Sequence, residues 1–354
     1  MSHHWPRLPA EWEPQAGLML TWPHADTDWE ARLASVLPTF AQIASAISRD
    51  EPVLNVCRDA QHQAEVARLL RSSGARPYNL RFALADSDDT WARDHGPITT
   101  LTAEGPSLND FIFDGWGGKF AASRDNRINR ELARQGIFAH TPIHSHQLVL
   151  EGGALETDGL GTLLATRSSV LDRARNPDVS SQEIEQLLRD TFGFRRFLWL
   201  DHGELSGDDT DAHIDILARF ADPHTIIYTA APEDDPDHAG LAAMYRQLRG
   251  FRDIDGNPYR LRELPFPGVH RDTSGRRLPA SYANFLITNQ SVLVPVYGVA
   301  ADASALQVLE DCFPARRVVP VDCRAIIEQN GSLHCLTMQF PAQVDLRNAV
   351  NAVA

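Results

Sequence analysis

The chain has 354 residues, 43% hydrophobic and 23% charged, which suits a globular protein with a large core. Its formal net charge of −14 argues against nucleic-acid phosphates as partners and favours a small cationic substrate. No apolar run approaches the roughly 20 residues that a membrane span needs, no apolar signal region opens the chain, and Cys57, Cys312, Cys323 and Cys335 form no Cys-x-x-Cys pair, so the expectation is a cytoplasmic protein without a membrane segment, zinc knuckle or disulfide framework.

Residues 1–15 read as an irregular arm. A short strand at Gly17–Pro23, ended by proline, precedes a helix over Thr27–Ser48, where Trp29, Leu33, Val36, Leu37, Phe40, Ile43 and Ile47 recur at helical spacing. Val53–Cys57 reads as a strand, Gln61–Leu70 as a helix and Leu80–Leu84 as a strand running into the acidic turn Asp86–Asp89. The motif TWARDHGP (Thr90–Pro97) is broken by Gly96-Pro97. A strand at Phe111–Trp116 and a polar helix at Arg124–Gly136 follow. Leu148–Glu151 is a strand leading into Gly152-Gly153, and ALETDGLGTLLAT reads as a hairpin turning at Asp158-Gly159. The helix at Ser180–Phe192 has Ser180 or Ser181 as its cap and Glu183 and Glu185 in its first turns.

Phe197–Leu200 is a strand, and residues 213–219 read as another. Thr225–Thr229 is a strand, Gly240–Leu248 a helix, and Arg252–Ser274 a long polar loop. Tyr282–Thr288 and Ser291–Val296 form a hairpin through Asn289-Gln290. A helix at Ala303–Cys312, a strand at Val318–Val321, a short helix at Arg324–Glu328 and a closing segment, Asn330–Pro341, complete the chain. The alternation of strands and helices makes this an α/β protein. A weak recurrence of strands, polar turn and helix, at a period of roughly 60–70 residues, would fill the chain with five units. No linker divides it, so residues 1–354 are expected to form a single domain.

Chemistry concentrates in a few places. In Gly207–Phe220, GDDTDAHIDILARF, Asp208, Asp209, Asp211 and Asp215 flank His213. On a strand, His213 and Asp215 would point the same way, about 7 Å apart. A solvated acidic loop before an ordinary strand is the competing interpretation. Asp94 lies between Arg93 and His95, where turn backbone can hold it. Glu151 ends an apolar strand before two glycines, which permit close approach of backbone or ligand. Cys335, in GSLHCLTMQ, is expected on a short strand and is the strongest candidate thiol. Cys323, beside Asp322 and Arg324, ranks second; Cys57 and Cys312 read as structural. Trp91 and Trp116 flank glycine-rich turns and could wall a pocket. His144 and His146 form only a two-residue metal pair. No nucleotide or zinc-protease motif occurs, so no cofactor and no metal are expected.

Taken together, RLPAEWEPQ, TWARDHGP, FDGWGGKF, LEGGALETDGLGTLLAT, SGDDTDAHIDILARF, YANFLITN and LHCLTMQ resemble the agmatine deiminase and bacterial-type peptidylarginine deiminase family, within the guanidino-group-modifying (pentein) superfamily. The resemblance implies a five-bladed α/β propeller with its active site at the axis. It implies Cys335 as nucleophile, His213 as general acid and base, Asp94 and Asp215 as the carboxylates that grip a guanidinium, and Glu151 as the histidine's partner. The implied partner is a small cationic guanidino compound, the implied product a ureido compound with loss of ammonia, and the implied assembly a homodimer.

That chemistry is coherent with the residues. Carboxylates form paired, charge-assisted hydrogen bonds to a planar guanidinium. A thiolate can attack its carbon without a metal, and an imidazole can protonate departing ammonia and then activate water. The glycine run before the cysteine, Gln329-Asn330-Gly331-Ser332-Leu333-His334-Cys335, is thinner than in agmatine deiminases. Agmatine remains the favoured substrate over free or peptidyl arginine, with Asp208, Asp209, Trp91 or Trp116 available to its distal amine. An amidinotransferase, a metal hydrolase built on His213, Asp215, Asp94 and Glu151, and a catalytically silent binding protein are the alternatives.

Overall fold

The computed structural model describes residues 6–346, so the start of the N-terminal arm and the end of the closing tail lie outside the described residues. These residues form two compact units, one of 13–152 with 335–346, the other of 6–12 with 153–334. No helix among them is long and apolar enough to cross a membrane.

The first unit holds two sheets. In one, Gln15–Thr21 pairs antiparallel with Thr337–Pro341 and parallel with Val53–Cys57, which in turn pairs parallel with Leu80–Leu84. Helices Leu33–Ser48 and Ala60–Ser72 make the crossovers. In the other, Ile98–Thr102 pairs antiparallel with Gly105–Ile112, which pairs parallel with Ile143–Val149 across the helix Ile128–Arg134. Every residue of Val53–Cys57 is buried, as expected of a parallel strand covered on both faces. The one polar side chain there is satisfied. Asn55 accepts the Trp22 indole N–H at 2.9 Å and donates to the carbonyls of Val53 and Arg81.

The second unit repeats the pattern three times. Glu156–Thr157 pairs antiparallel with Thr162–Thr166, and the latter parallel with Arg196–Leu200 across the helix Ser181–Phe192. Ala218–Asp222, Thr225–Thr229 and Arg260–Leu264 do the same across His238–Gly250. Leu286–Ile287, Ser291–Val296 and Arg317–Asp322 do so across Ala301–Cys312. Each of these five sheets thus sets an antiparallel pair beside a strand reached in parallel through a helix; in four the antiparallel pair is consecutive in the chain, and in the first it joins Gln15–Thr21 to Thr337–Pro341. A parallel neighbour needs a crossover of a dozen or more residues, and the helix supplies it. The pair His270–Arg271 and Arg277–Leu278 stands apart as a small hairpin.

Several expectations need revision. The helix at Thr27–Ser48 begins as a single 3-10 turn at Glu30–Arg32 and turns α-helical only at Leu33. The strand expected at Phe111–Trp116 lies earlier, at Gly105–Ile112, and its partner Ile98–Thr102 went unread. The polar loop Arg252–Ser274 contains the strand Arg260–Leu264, whose charged side chains sit on a sheet edge. Arg324–Glu328 is replaced by a 3-10 turn at Ile327–Gln329. Residues 213–219 are not one strand. His213 precedes a 3-10 turn at Ile214–Ile216, and the strand starts at Ala218. The run Ile214–Phe220 is buried throughout, so burial imposed no two-residue alternation on it.

Candidate active site

In the first unit, three loops meet through the backbone of Arg93. Its N–H donates to the carbonyl of Cys335 at 3.0 Å. Its own carbonyl lies where a Cβ on Gly152 would be, 2.3 Å away, so only glycine admits the approach. Asp94 follows Arg93, and Glu151 precedes Gly152. One residue therefore gathers the segments bearing Asp94, Glu151 and Cys335, all three at most 5% exposed.

Asp94 lies in the helical turn Ala92–His95, and its Oδ2 accepts the Trp116 indole N–H at 3.0 Å. Trp116 holds the left-handed conformation, φ 59° and ψ 56°. Asp114 accepts the Gly117 N–H at 2.8 Å to close that turn, and the rings of Phe113 and Phe120 meet Trp116 edge-on. Trp91 donates to Asp89 Oδ2 at 2.8 Å, and Trp29 to Asp89 Oδ1 at 2.8 Å. Burial pushes Asp89 up to about 6 against those two indole bonds. Trp91 and Trp116 stand 6.5 Å apart, ring centre to ring centre.

Two placements correct the expectations. Cys335 sits in a turn ahead of Thr337–Pro341, not on a strand. Glu151, expected at the end of a strand, lies beyond the end of Ile143–Val149 and is buried at 1% exposure. The runner-up thiol, Cys323, is fully buried, which pushes it up to about 12. Burial also raises Cys57 and Cys312.

In the second unit, the loop before His213 is tightly wound. Asp208 Oδ1 accepts the Thr210 N–H and hydroxyl, and Oδ2 accepts the Ala212 N–H at 2.8 Å. Thr210 Oγ1 in turn accepts the His213 N–H at 3.1 Å. Asp211 and Ala212 are both left-handed, at φ 66°. Arg175 restrains them by donating to Asp211 Oδ2 at 2.7 Å and to the Thr210 carbonyl. Asp208 is therefore engaged by its own loop. Asp209 is differently placed, its Oδ2 accepting from Asn330 Nδ2 at 2.5 Å.

Asp215 is 1% exposed, and its Oδ2 lies 2.8 Å from His334 Nδ1. Burial alone would raise its pKa. The hydrogen bond and charge of His334, then the charges of His213 and Arg219, together outweigh burial and leave it below the ordinary aspartate range. The other His334 nitrogen, Nε2, is 2.8 Å from Glu11 Oε2. Arg219, fully buried, donates to Glu11 and Glu156 at 2.6 Å each and to the Phe285 carbonyl at 2.9 Å. Sequence reading missed Glu11, Arg219 and His334 as a set. The only signal for Glu11 was its place in PAEWEPQ.

One of the two histidines offered as weak metal ligands is otherwise engaged. His146 Nε2 pairs with Asn109 Oδ1 at 2.9 Å, and its ring stacks on Phe111. Among the described residues, no group of three or more His, Cys, Asp or Glu side chains is arranged to hold a metal ion.

A buried carboxylate fixed by an indole or an imidazole donor can form charge-assisted hydrogen bonds to a planar cation. Proteins of that chemistry resemble this chain along its length. A Shewanella sp. (strain MR-4) protein provisionally named an agmatine deiminase is 34% identical, over 95% of this chain and 94% of its own. Among solved structures, a provisionally named arginine deiminase from Porphyromonas gingivalis is 45% identical with a TM-score of 0.88, covering 96% of this chain and 99% of that one. A C. jejuni agmatine deiminase variant with substrate bound is 30% identical with a TM-score of 0.89, covering 98% and 99%. The sequence pattern of one family spans residues 7–341, nearly every residue used above, and the chain belongs to that family, the Porphyromonas-type peptidyl-arginine deiminases.

Proposed function

We propose that this protein is an agmatine deiminase, a hydrolase that converts the guanidinium of agmatine to the ureido group of N-carbamoylputrescine and releases ammonia. The observation that carries the reading is the full-length likeness to an agmatine deiminase solved with its substrate. The buried acidic groups suit a cation, and Asp94 and Asp215 are each oriented by a dedicated donor.

In the proposed route, Asp94 and Asp215 hold the guanidinium in plane, with Glu151 partnering the imidazole. Cys335 Sγ attacks the guanidinium carbon as thiolate. His213 protonates the departing nitrogen, and ammonia leaves an amidino group on sulfur. His213 then takes a proton from water, the hydroxide adds to the same carbon, and the C–S bond breaks to free the ureido product. Trp91, Trp116 and Asp209 are assigned to the remainder of the substrate. The route uses no cofactor and no metal.

The five sheets, each an antiparallel pair beside a helix-connected parallel strand, support reading the chain as one deiminase domain, the sheets being blades of a five-bladed α/β propeller of the pentein kind. A cytoplasmic setting is proposed from the four cysteines, none of which is joined to another in a disulfide. A homodimer is proposed from the family alone.

A second reading, deimination of arginine, draws on the 45% identity to the P. gingivalis protein. The test is a panel of agmatine, arginine and an arginyl peptide, with ammonia and ureido product both measured and no acceptor amine added. Agmatine should be preferred and both products formed in equal amounts. Arginine preference would replace the substrate, and product formation that needs an added amine would replace hydrolysis with amidino transfer. Undiminished turnover in Cys335→Ala would overturn the mechanism.

A further inference from the structure

We infer that Glu11, on the N-terminal segment, is a positioning residue that acts through the His334 ring on the Asp215 carboxylate. The inference rests on the reading of Asp215 as a guanidinium-gripping group. Four side chains form an unbroken buried line within one unit: Arg219 Nη2 to Glu11 Oε2 at 2.6 Å, the same oxygen to His334 Nε2 at 2.8 Å, and His334 Nδ1 to Asp215 Oδ2 at 2.8 Å.

Each end is anchored. Glu11 Oε1 accepts the Ile287 N–H at 2.8 Å, so both oxygens are fixed. Arg219 is clamped by Glu156 and the Phe285 carbonyl, and its guanidinium lies 4.8 Å over the Phe285 ring. The His334 N–H donates to Asn284 Oδ1 at 2.9 Å. The N-terminal segment is itself docked, Leu8 N–H donating to the Phe192 carbonyl at 3.0 Å. Gly193, left-handed at φ 70°, leaves room for the Pro6 carbonyl, which would lie 1.8 Å from a Cβ there.

Both ring nitrogens face carboxylate oxygens at bonding distance, so Glu11 fixes the ring through Nε2 and aims Nδ1 at Asp215. The ring then presents a donor to Asp215 Oδ2, which stops the carboxylate from rotating and favours its charged form. Buried charge clusters of this kind gain little stability over apolar packing, so a role beyond folding is the better account of this one. His334 also immediately precedes Cys335 in the chain, so the same anchor restrains the backbone entering the nucleophile.

The test compares His334→Asn with His334→Gln in the full-length protein, by steady-state kinetics with agmatine and by calorimetric agmatine binding in the Cys335→Ala background. An asparagine amide takes the place of Nδ1 and can still donate to Asp215; a glutamine amide takes the place of Nε2 and reaches only Glu11. We expect His334→Gln, which loses the bond to Asp215, to raise KM by about tenfold or more, and His334→Asn, which keeps that bond but loses its anchor on Glu11, to raise KM by only about threefold. Equal effects of the two variants would overturn the inference. Should either fail to fold, Glu11→Gln is the second variant: it should raise KM severalfold with a smaller change in kcat, and an unchanged KM would overturn the inference. A parent protein that acts on arginine instead of agmatine fails the substrate reading alone, and the same comparison is then made with arginine. A parent that acts on no guanidino compound fails the functional reading itself.

Discussion

Trp116 donates its indole N–H to Asp94 Oδ2 at 3.0 Å from a backbone held at φ 59°. A bulky residue in that region costs roughly 1–2 kcal/mol, so the turn spends folding stability to aim one donor at one carboxylate. Strain of this kind persists where the surroundings over-determine it, often at functional sites. Trp116→Phe keeps the ring and loses the donor. We expect KM for agmatine to rise about tenfold, the loss of one hydrogen bond to a charged acceptor, with the melting temperature little changed. An unchanged KM would mean that Asp94 is oriented without the indole.

The cysteines should separate by reactivity. Cys57 and Cys323 are fully buried, and burial raises both thiols, Cys323 to about 12. Burial raises the half-buried Cys312 as well. With iodoacetamide at neutral pH, the folded protein should take up one label fast, at Cys335, because the proposed route makes it the nucleophilic thiolate, and agmatine should slow it. Mass spectrometry of the digested protein locates the label. Fast labelling at Cys323 in the folded state would contradict the assignment of the nucleophile.

Asp208 and Asp209 are neighbours that should behave differently. Asp208 accepts from Thr210 and Ala212 and so shapes the turn that delivers His213. Asp208→Ala should lower stability by about 2–4 kcal/mol, since it strips several bonds to a charged acceptor, and should depress kcat because His213 loses its fixed approach. Asp209→Ala strips only the bond from Asn330, so it should lower stability less than Asp208→Ala and raise KM for agmatine, without affecting small guanidines that lack a distal amine. Denaturant unfolding and a two-substrate comparison read both. Matching phenotypes would remove Asp209 from the substrate's path.

These pairs also mark how far the sequence could be read. Strands such as Val53–Cys57, Leu80–Leu84 and Thr225–Thr229 were legible because short, mainly apolar runs stand between helices and turn residues. The helix from Ser181 was legible because Ser180 and Glu183 form a capping box. The five proposed catalytic residues stood out through family resemblance, not through spacing. The geometry around them did not. Glu11 meets His334 across 323 residues of chain, a separation no local pattern reports. The turn before His213 depends on two left-handed residues that are not glycine, so nothing in their identity announced it. The strand Arg260–Leu264 was hidden because an edge strand tolerates charge where a central one does not.

Acid should weaken the protein through a histidine remote from the chemistry. His62, on the helix Ala60–Ser72, is 7% exposed beside a cavity of about 390 Å³ whose walls include Leu33, Leu37 and Val66. Burial, and then the charge of His24, whose ring lies 5.7 Å away, holds His62 down to about 4; Arg58 adds to this, while Asp59 and Glu65 oppose it. Its Nδ1 accepts the Arg58 N–H at 3.2 Å, a bond that only the unprotonated nitrogen can take. In the unfolded chain the same side chain titrates near 6.5. Between these two values the unfolded state binds a proton that the native state refuses, so stability rises with pH across the window and falls as pH drops from 6.5 toward 4. His95 adds a similar slope that extends lower, to about 3, again through burial. His62→Gln removes one of these protons. The slope of unfolding free energy against pH should then fall by up to one proton, about 1.4 kcal/mol per pH unit at most. Urea titrations at several pH values across the window measure it in parent and variant, and parallel slopes would show that His62 titrates normally in the folded protein.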